Sequence, residues 1–198
     1  MDRFSDAETI ARSLREPEIF AEIFERHFDR IHAYLARRVG PDIGRDLTSE
    51  AFLAAFRSRH RYDSNRHSAL PWLLGIATNL AHRHWRTERQ HLASIAKIET
   101  DHIAEAGEDA IVNRVDAAAV ADVVGRAVAS LDAGCRDVLL LIAWADLSYL
   151  EVAEALRIPI GTVRSRLSRA RQAVRQRLAV SPLFPDLMHR LETGADHG

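Results

Sequence analysis

Cysteine, lysine and long apolar segments are all scarce in this chain of 198 residues. Its single cysteine, Cys135, excludes an intramolecular disulfide framework and any zinc site built on two or more cysteines. No segment approaches the run of roughly 20 apolar residues that crosses a bilayer, and the polar N-terminus lacks the apolar stretch of a signal peptide. We therefore expect a cytoplasmic protein with no membrane insertion, no metal site and no cofactor.

Net charge is also small, but its distribution is uneven. The formal net charge of −1 at pH 7 by itself argues against a nucleic-acid partner. However, residues 26–93 carry twelve basic and six acidic groups, and residues 161–180 carry six arginines and no acid. Because Lys97 is the only lysine, these segments present guanidinium groups, which suit phosphates and guanine edges. The sequence thus contains two candidate anion-binding segments, and the rest of the chain is net acidic.

Apolar residues recur at helical spacing through nearly the whole chain. A first long helix carries an apolar stripe over 20–35 and ends at Gly40, and a second runs from about Arg45 to Arg59. Residues 61–68 predict a loop, and a further helix follows with Pro71 in its first turn. No segment alternates with a period of two, so the pattern predicts an all-α protein.

The helical pattern weakens once, between two well-patterned parts. Residues 94–115 lose the apolar stripe and gain acidic residues, which indicates a flexible linker. We therefore predict two small helical domains, 1–93 and 116–180, followed by a tail over 181–198. The tail contains two prolines and is expected to be poorly ordered.

The strongest local motif is LSYLEVAEALRIPIGTVRSRL, which begins at Leu147. Ser148 and Glu151 have the spacing of a capping box, Pro159 forces a turn, and a second helix begins near Thr162. On a helical wheel the second helix buries one apolar stripe and exposes arginines and small hydroxyls. This pattern is typical of a helix-turn-helix that places its second helix in the major groove of DNA. A solvated surface helix is the alternative, which the preceding turn disfavours.

Two stretches resemble one protein family in the same order as in that family. The stretch LDAGCRDVLLLIAWADLSYLEVAEALRIPIGTVRSRLSRARQAVRQRL resembles region 4 of extracytoplasmic-function (ECF) sigma factors of bacterial RNA polymerase. The stretch DLTSEAFLAAFRSRHRYDSNRHSALPWLLGIATNLAHRHWRTERQ is similar to their region 2. The resemblance implies a promoter-specificity subunit without catalytic activity. It would bind core polymerase at the β′ clamp helices and the β flap, bind promoter DNA, and be held by an anti-sigma factor.

The resemblance also implies roles for individual residues. Core polymerase would be bound through Asp46, Glu50 and Leu47. Asn79 would read a flipped −10 base with its amide donor and acceptor. The remaining −10 contacts would come from His82, Arg83, Trp85 and Arg86. The −35 element would be read by Arg164, Ser165, Ser168 and Arg169. Phosphates beside the −35 element would be held by Arg166, Arg171 and Arg175.

Several alternatives remain open at this point. Trp72 could stack on a base, but its place in an apolar stripe favours a core role. His82 and His84 point about 200° apart on a helix and cannot share a metal. The acidic linker either mimics RNA at the polymerase exit path or only adds solubility. A conventional helix-turn-helix regulator is the alternative function, although it leaves residues 18–93 unexplained. An enzyme is disfavoured because the acids lack the spacing of a catalytic set.

Overall fold

The computed structural model describes residues 4–98 and 123–180, and all regular secondary structure in these ranges is helical. This confirms the all-α fold class. The described residues form two compact units. The first contains residues 4–98 together with Leu141–Ile160, and the second contains residues 123–140 and 161–180.

Eight α-helices follow one another along the described chain. They are α1 (Asp6–Ser13), α2 (Ala21–Val39), α3 (Pro41–Ser58), α4 (Leu70–Ile98), α5 (residues 123–129 of the described part), α6 (Ala133–Ala145), α7 (Tyr149–Leu156) and α8 (Ile160–Ala179). Two short 3-10 helices, Pro17–Phe20 and Arg59–Arg61, lie before α2 and after α3.

Helix α1 was not predicted from the apolar pattern. Its buried residues include Asp6, Thr9 and Ser13, so the buried side of α1 is largely polar and gives no apolar stripe. A capping box does mark its start. Ser5 Oγ accepts from the Glu8 amide at 3.2 Å, and the Ser5 amide donates to Glu8 Oε2 at 2.8 Å. This Ser-x-x-Glu spacing was the signal that could have located the helix.

Helix boundaries depart from the predicted ones at two places. Gly40 has φ +90°, a conformation that L side chains rarely adopt, and it ends α2 so abruptly that α3 already begins at Pro41 rather than near Arg45. Helix α4 continues to Ile98, so the linker predicted from residue 94 begins with helical residues. The rest of the predicted linker and the 181–198 tail lie outside the described residues.

The core of the first unit is built from the inward faces of α2, α3 and α4. Its fully buried side chains include Ile23, Ile31, Leu35, Leu73 and Leu74. An aromatic cluster adjoins this core, where Phe24, Phe28 and Phe52 have ring centroids 4.8–6.4 Å apart. In the centre, the hydroxyl groups of Tyr34 and Thr78 are hydrogen-bonded at 2.9 Å and join α2 to α4.

The second unit has a small core of its own. Leu131, Cys135 and Ala170 are buried together, and Leu139, Ala173 and Val174 pack against them. Asp132 begins α6, since its Oδ1 accepts from the Cys135 amide at 2.9 Å. In the part of the chain that the structure describes, no helix is both long and apolar enough to span a bilayer.

Candidate nucleic-acid interface

Helix α8 separates its apolar and basic residues onto different faces. Val163, Leu167 and Ala170 are buried to 2% exposure or less, and Val174 is half-buried. The exposed polar residues of the helix are Arg164, Ser165, Ser168, Arg169, Arg171, Gln172, Arg175, Gln176 and Arg177. The helical wheel drawn from the sequence therefore agrees with the observed burial. The helix begins at Ile160, two residues before the expected start.

Two −35 candidates on the first turns of α8 are ordered by local hydrogen bonds. Ser165 Oγ donates to the Thr162 carbonyl at 3.1 Å, and Arg169 Nε donates to the Ser165 carbonyl at 3.4 Å. Both are weak bonds on an exposed surface, so a base edge or phosphate could replace them at little cost. The Ser165 hydroxyl and the Arg169 guanidinium therefore remain available to bind DNA.

Arg166 differs from the other arginines of α8 because it is half-buried. Its guanidinium lies against the start of α6, where a Cβ added at Gly134 would be 2.9 Å from Arg166 Cζ. The same corner holds Asp132, whose pKa is lowered by a hydrogen bond from the Cys135 side chain and, to a smaller extent, by the charge of Arg169. An acidic group therefore lies among the cations at this end of the recognition helix.

The −10 candidates lie along one side of α4. Asn79, Arg83 and Arg86 are exposed and His82 is half-buried. At about 100° per residue these four side chains fall within an arc of roughly 100°. Trp85 lies at the flank of this arc, 42% exposed, with its ring edge-on to His84 at 5.8 Å. Cations, an amide and an aromatic ring on one helix side are suited to a single-stranded nucleic acid.

Trp72 is half-buried and packs on Tyr62, with the ring centroids 5.0 Å apart. Burial, with a smaller contribution from the negative charge of Asp6, raises the pKa of Tyr62 to about 12. The loop between α3 and α4 is thereby anchored on the first turn of α4. Trp72 thus contributes to loop packing as well as to the apolar stripe.

The predicted polymerase-binding set divides into surface and core residues. Asp46 and Glu50 are exposed one turn apart on α3, whereas Leu47 is only 9% exposed and belongs to the core. Leu53, which we had not singled out, is 47% exposed one turn after Glu50. Its i+3 spacing from Glu50 and i+7 spacing from Asp46 could have identified it. On α3, an exposed apolar side chain therefore lies beside two exposed carboxylates.

An ion pair connects this surface to the basic side of α4. Arg83 Nη2 donates to Glu50 Oε1 at 2.6 Å, and both side chains are about half or more exposed. The pair joins a candidate polymerase contact to a candidate DNA contact. Among the described residues, no three histidine, cysteine or carboxylate side chains are grouped as a metal site would require.

Together, these features define the class. One part of the chain has a helix with a capping box, a short turn and a basic second helix. Another part has a basic helix with an exposed amide, beside a helix with exposed acids. These features are those of a helical DNA-binding protein with two basic surfaces.

Two family models match the chain, Sigma-70 region 2 over residues 23–91 and Sigma-70, region 4 over residues 121–174. The RNA polymerase sigma factor HrpL of Pseudomonas syringae pv. syringae is 32% identical over 170 residues, which cover 83% of this chain and 91% of that protein. ECF RNA polymerase sigma factor SigC of Mycobacterium tuberculosis is 33% identical over 164 residues, covering 81% of this chain and 82% of its own length. SigW of Bacillus subtilis, also an ECF sigma factor, is 28% identical over 176 residues, with coverage of 82% and 90%.

Solved structures share the fold. CnrH, in complex with the cytosolic domain of CnrY, has a TM-score of 0.61 at 22% identity, covering 89% of this chain and 99% of that one. The sigma factor RpoE, in complex with the anti-sigma factor NepR from Bartonella quintana, has a TM-score of 0.56 at 21% identity, with coverage of 82% and 98%. The chain belongs to the sigma-70 family and is a sigma factor of the ECF group, which confirms the predicted family.

Proposed function

We propose that this sigma factor holds core polymerase through α3 and divides promoter recognition between α4 and α8. The exposed carboxylates of Asp46 and Glu50, with the adjoining Leu53, would dock on the β′ clamp helices. An apolar side chain flanked by acids suits a partner surface with basic residues around an apolar centre. Leu47 supports this surface from the core.

The melted −10 strand would lie along the exposed side of α4. Asn79 has the donor and acceptor needed to read the edge of an extruded base, and it is exposed where the helix is otherwise buried by its neighbours. Arg83 and Arg86 follow it and would hold the backbone, while Trp85 offers a face for stacking. This arrangement supports the −10 assignment.

The −35 duplex would be read by α8. The single observation that carries the proposal is that α8 has a buried apolar stripe and an exposed basic surface. Arg164, Ser165, Ser168 and Arg169 occupy the first turns, where a recognition helix contacts bases. Arg171 and Arg175 lie further along and would hold phosphates. The region that contains α8 would also contact the β flap.

The cellular setting follows from the same assignment. The protein would act in the cytoplasm with polymerase and promoter DNA, without a catalytic step of its own. Its polymerase-binding and DNA-binding surfaces would be covered by an anti-sigma factor until induction. The presence of an anti-sigma partner in the RpoE structure supports this part of the proposal.

Run-off transcription tests the proposed function. Purified protein, core polymerase and genomic fragments should give promoter-specific transcripts that core polymerase alone does not make. The variant Asp46→Ala/Glu50→Ala should lose association with core, whereas Asp29→Ala, which removes an exposed acid from α2, should not. No association with core at any salt concentration would refute the proposal. Tight, sequence-specific duplex binding by the free protein without polymerase would favour a conventional helix-turn-helix regulator.

A further inference from the structure

Helix α7 packs in the first unit although it lies within the stretch that the region 4 model matches. Its contact with α4 is very close at one point. Gly75 is buried, and a Cβ built on it would lie 2.3 Å from the Ala155 carbonyl oxygen of α7. Real Cβ atoms do not approach backbone oxygens so closely, and the neighbour is backbone rather than a flexible side chain. The observed docking of α7 on α4 therefore requires glycine at position 75.

Polar contacts reinforce the docking on both sides of this point. Arg66, in the loop before α4, forms an ion pair with Glu154 of α7. Arg30 Nη2 of α2 donates to the Ala145 carbonyl at 2.7 Å, just before α7 in the chain. The Glu154 side chain is 21% exposed and that of Arg66 34%, so the pair is partly shielded from water. Three elements of the first unit thus hold this segment.

The docked side of α4 is the side assigned to the −10 strand. At about 100° per residue, Gly75, Asn79, His82 and Arg86 fall within roughly 60° of one another. Helix α7 therefore lies one turn before Asn79, on the same side. It also binds Arg66, a cation of the loop next to this surface. A DNA strand that delivers a base to Asn79 would clash with α7. Its phosphates would also compete with Glu154 for Arg66.

We propose that α7 and the melted −10 strand compete for the same side of α4, so that the free protein is self-inhibited by its own helix-turn-helix. The inference rests on the proposed function, which assigns this side of α4 to DNA. The contact at Gly75 and the Arg66–Glu154 ion pair hold the closed state. Release of α7 exposes the turn before Asn79 and leaves Arg66 paired only with the exposed Asp63, at 3.4 Å, so that its remaining donors can bind phosphate.

The first test measures whether α7 is docked in the full-length chain. Spin labels are placed at Ala33→Cys on α2 and Leu150→Cys on α7, both exposed positions, in a Cys135→Ser background. The wild-type distance distribution should be short and narrow. Gly75→Ala should lengthen and broaden it, because the added methyl group cannot fit beside Ala155. Unchanged distances in Gly75→Ala, or an equally broad distribution in the wild type, would overturn the proposal.

A matched control separates the contact from the change in helix propensity. Gly125 is also helical, and a Cβ added there meets nothing within 4 Å. Gly125→Ala should therefore leave the distances unchanged. Glu154→Arg should also release α7, because it places a second cation beside Arg66. This variant leaves the sequence of α4 unaltered. Adding Arg66→Glu to Glu154→Arg should restore the short distance, and failure of this restoration would contradict the role of the ion pair.

The second test measures competition with DNA. A single-stranded oligonucleotide carrying the −10 element is titrated into the full-length proteins. If the open state is about a tenth of the free population, Gly75→Ala and Glu154→Arg should each bind about tenfold more tightly than wild type. Asn79→Ala in either background should cancel the gain. A longer label distance without tighter binding would overturn the competition.

Failure of the inference and failure of the proposed function give different results. If polymerase with the wild-type protein initiates at −10/−35 promoters but opening variants bind the oligonucleotide no better, only the competition fails. If the labels separate as expected but no variant binds the oligonucleotide and polymerase does not initiate, the assignment of α4 to the −10 strand fails and the competition fails with it.

Discussion

The carboxylate of Asp6 joins three segments of the first unit. It accepts from the Ala69 amide at 2.7 Å and lies 2.7 Å from His27 Nε2 and 3.1 Å from Arg26 Nη1. Burial alone would raise the pKa of Asp6, but these hydrogen bonds and the charge of His27 outweigh it and lower the pKa to about 2. One buried acid thus fastens α1 to α2 and to the residue that precedes α4.

Replacing Asp6 should therefore destabilise the protein in a pH-dependent way. Because the pKa falls from 3.8 in the unfolded chain to about 2 in the fold, the ionised group stabilises the fold above pH 3.8. That contribution, about 2 kcal/mol by linkage, decreases as the pH falls from 3.8 through 2. In urea unfolding, Asp6→Asn should lose about this amount at pH 7 and progressively less below pH 4. Asp29→Asn, at an exposed site, serves as the control, and an equal loss at every pH would contradict the assignment.

At the −35 surface, Arg169 and Arg175 should separate base reading from phosphate binding. Arg169→Ala should reduce the preference of the holoenzyme for the native −35 element over a mutated one by about tenfold, the value of one good side-chain contact to a base edge. Arg175→Ala should weaken binding to both elements equally. Competition between promoter fragments measures the two effects. Arg177→Ala, exposed near the end of the same helix, is the control, and loss of core binding by Arg169→Ala would show a structural role instead.

At the scale of the helix, local chemistry determined how much could be predicted. Helices α2, α7 and α8 could be predicted because each has an apolar stripe and a recognisable start or stop, such as Gly40 or the Ser148–Glu151 box. Helix α1 has no apolar stripe to predict it, because its buried residues are mainly polar and one of them, Asp6, is paired with Arg26 and His27, far away in the sequence; only its capping box is a local signal. A stripe of apolar residues is a local signal, whereas a polar buried face is understood only with its partners.

In the candidate site, too, residues with a local sequence signal could be predicted, and residues that depend on tertiary packing could not. The exposed residues of α8 could be predicted from helical periodicity because its buried residues are spaced regularly. The inward position of Leu47 on α3 could be predicted because it shares a helical stripe with Ala51, Phe52 and Ala55. Leu53 was not singled out, because an exposed apolar side chain lies outside that stripe and only its spacing from Asp46 and Glu50 marks it. The docking of α7 at Gly75 could not be predicted either, because an isolated helical glycine does not indicate what approaches it.

The capping box of α7 gives a prediction at this scale. Ser148 Oγ accepts from the Glu151 amide at 3.3 Å, and the Ser148 amide donates to Glu151 Oε2 at 2.8 Å. Removing the cap with Ser148→Ala should cost about 1 kcal/mol of local stability. Amide hydrogen exchange over Tyr149–Leu156 should then accelerate about fivefold. Ser64→Ala, in the exposed loop before α4, should leave this segment unchanged, and unaltered exchange in Ser148→Ala would show that tertiary contacts alone maintain α7.

The near-zero net charge of the whole molecule results from basic DNA-binding segments that are offset by acidic segments elsewhere. Residues 26–93 and 161–180 contain most of the basic groups, including every residue assigned to DNA, while the other segments contain most of the acids. A chain with the basic segments alone would bind any duplex through its phosphates. The acids reduce this long-range attraction through the field of the whole molecule. Specific binding would then depend on polymerase, which positions both surfaces on one promoter.

This balance of charge predicts how the free protein responds to neutralisation of its acids. The triple variant Glu105→Gln/Glu108→Gln/Asp109→Asn raises the net charge from −1 to +2. The full-length variant should bind random duplex DNA about fivefold more tightly at low salt, and the gain should vanish at high salt, where charges are screened. The triple variant Asp186→Asn/Glu192→Gln/Asp196→Asn changes the net charge by the same amount near the C-terminus. If the acids act through the field of the whole molecule, both variants gain affinity alike. A gain confined to the first variant would show instead that the acids of the 94–115 segment act locally on a DNA-binding surface.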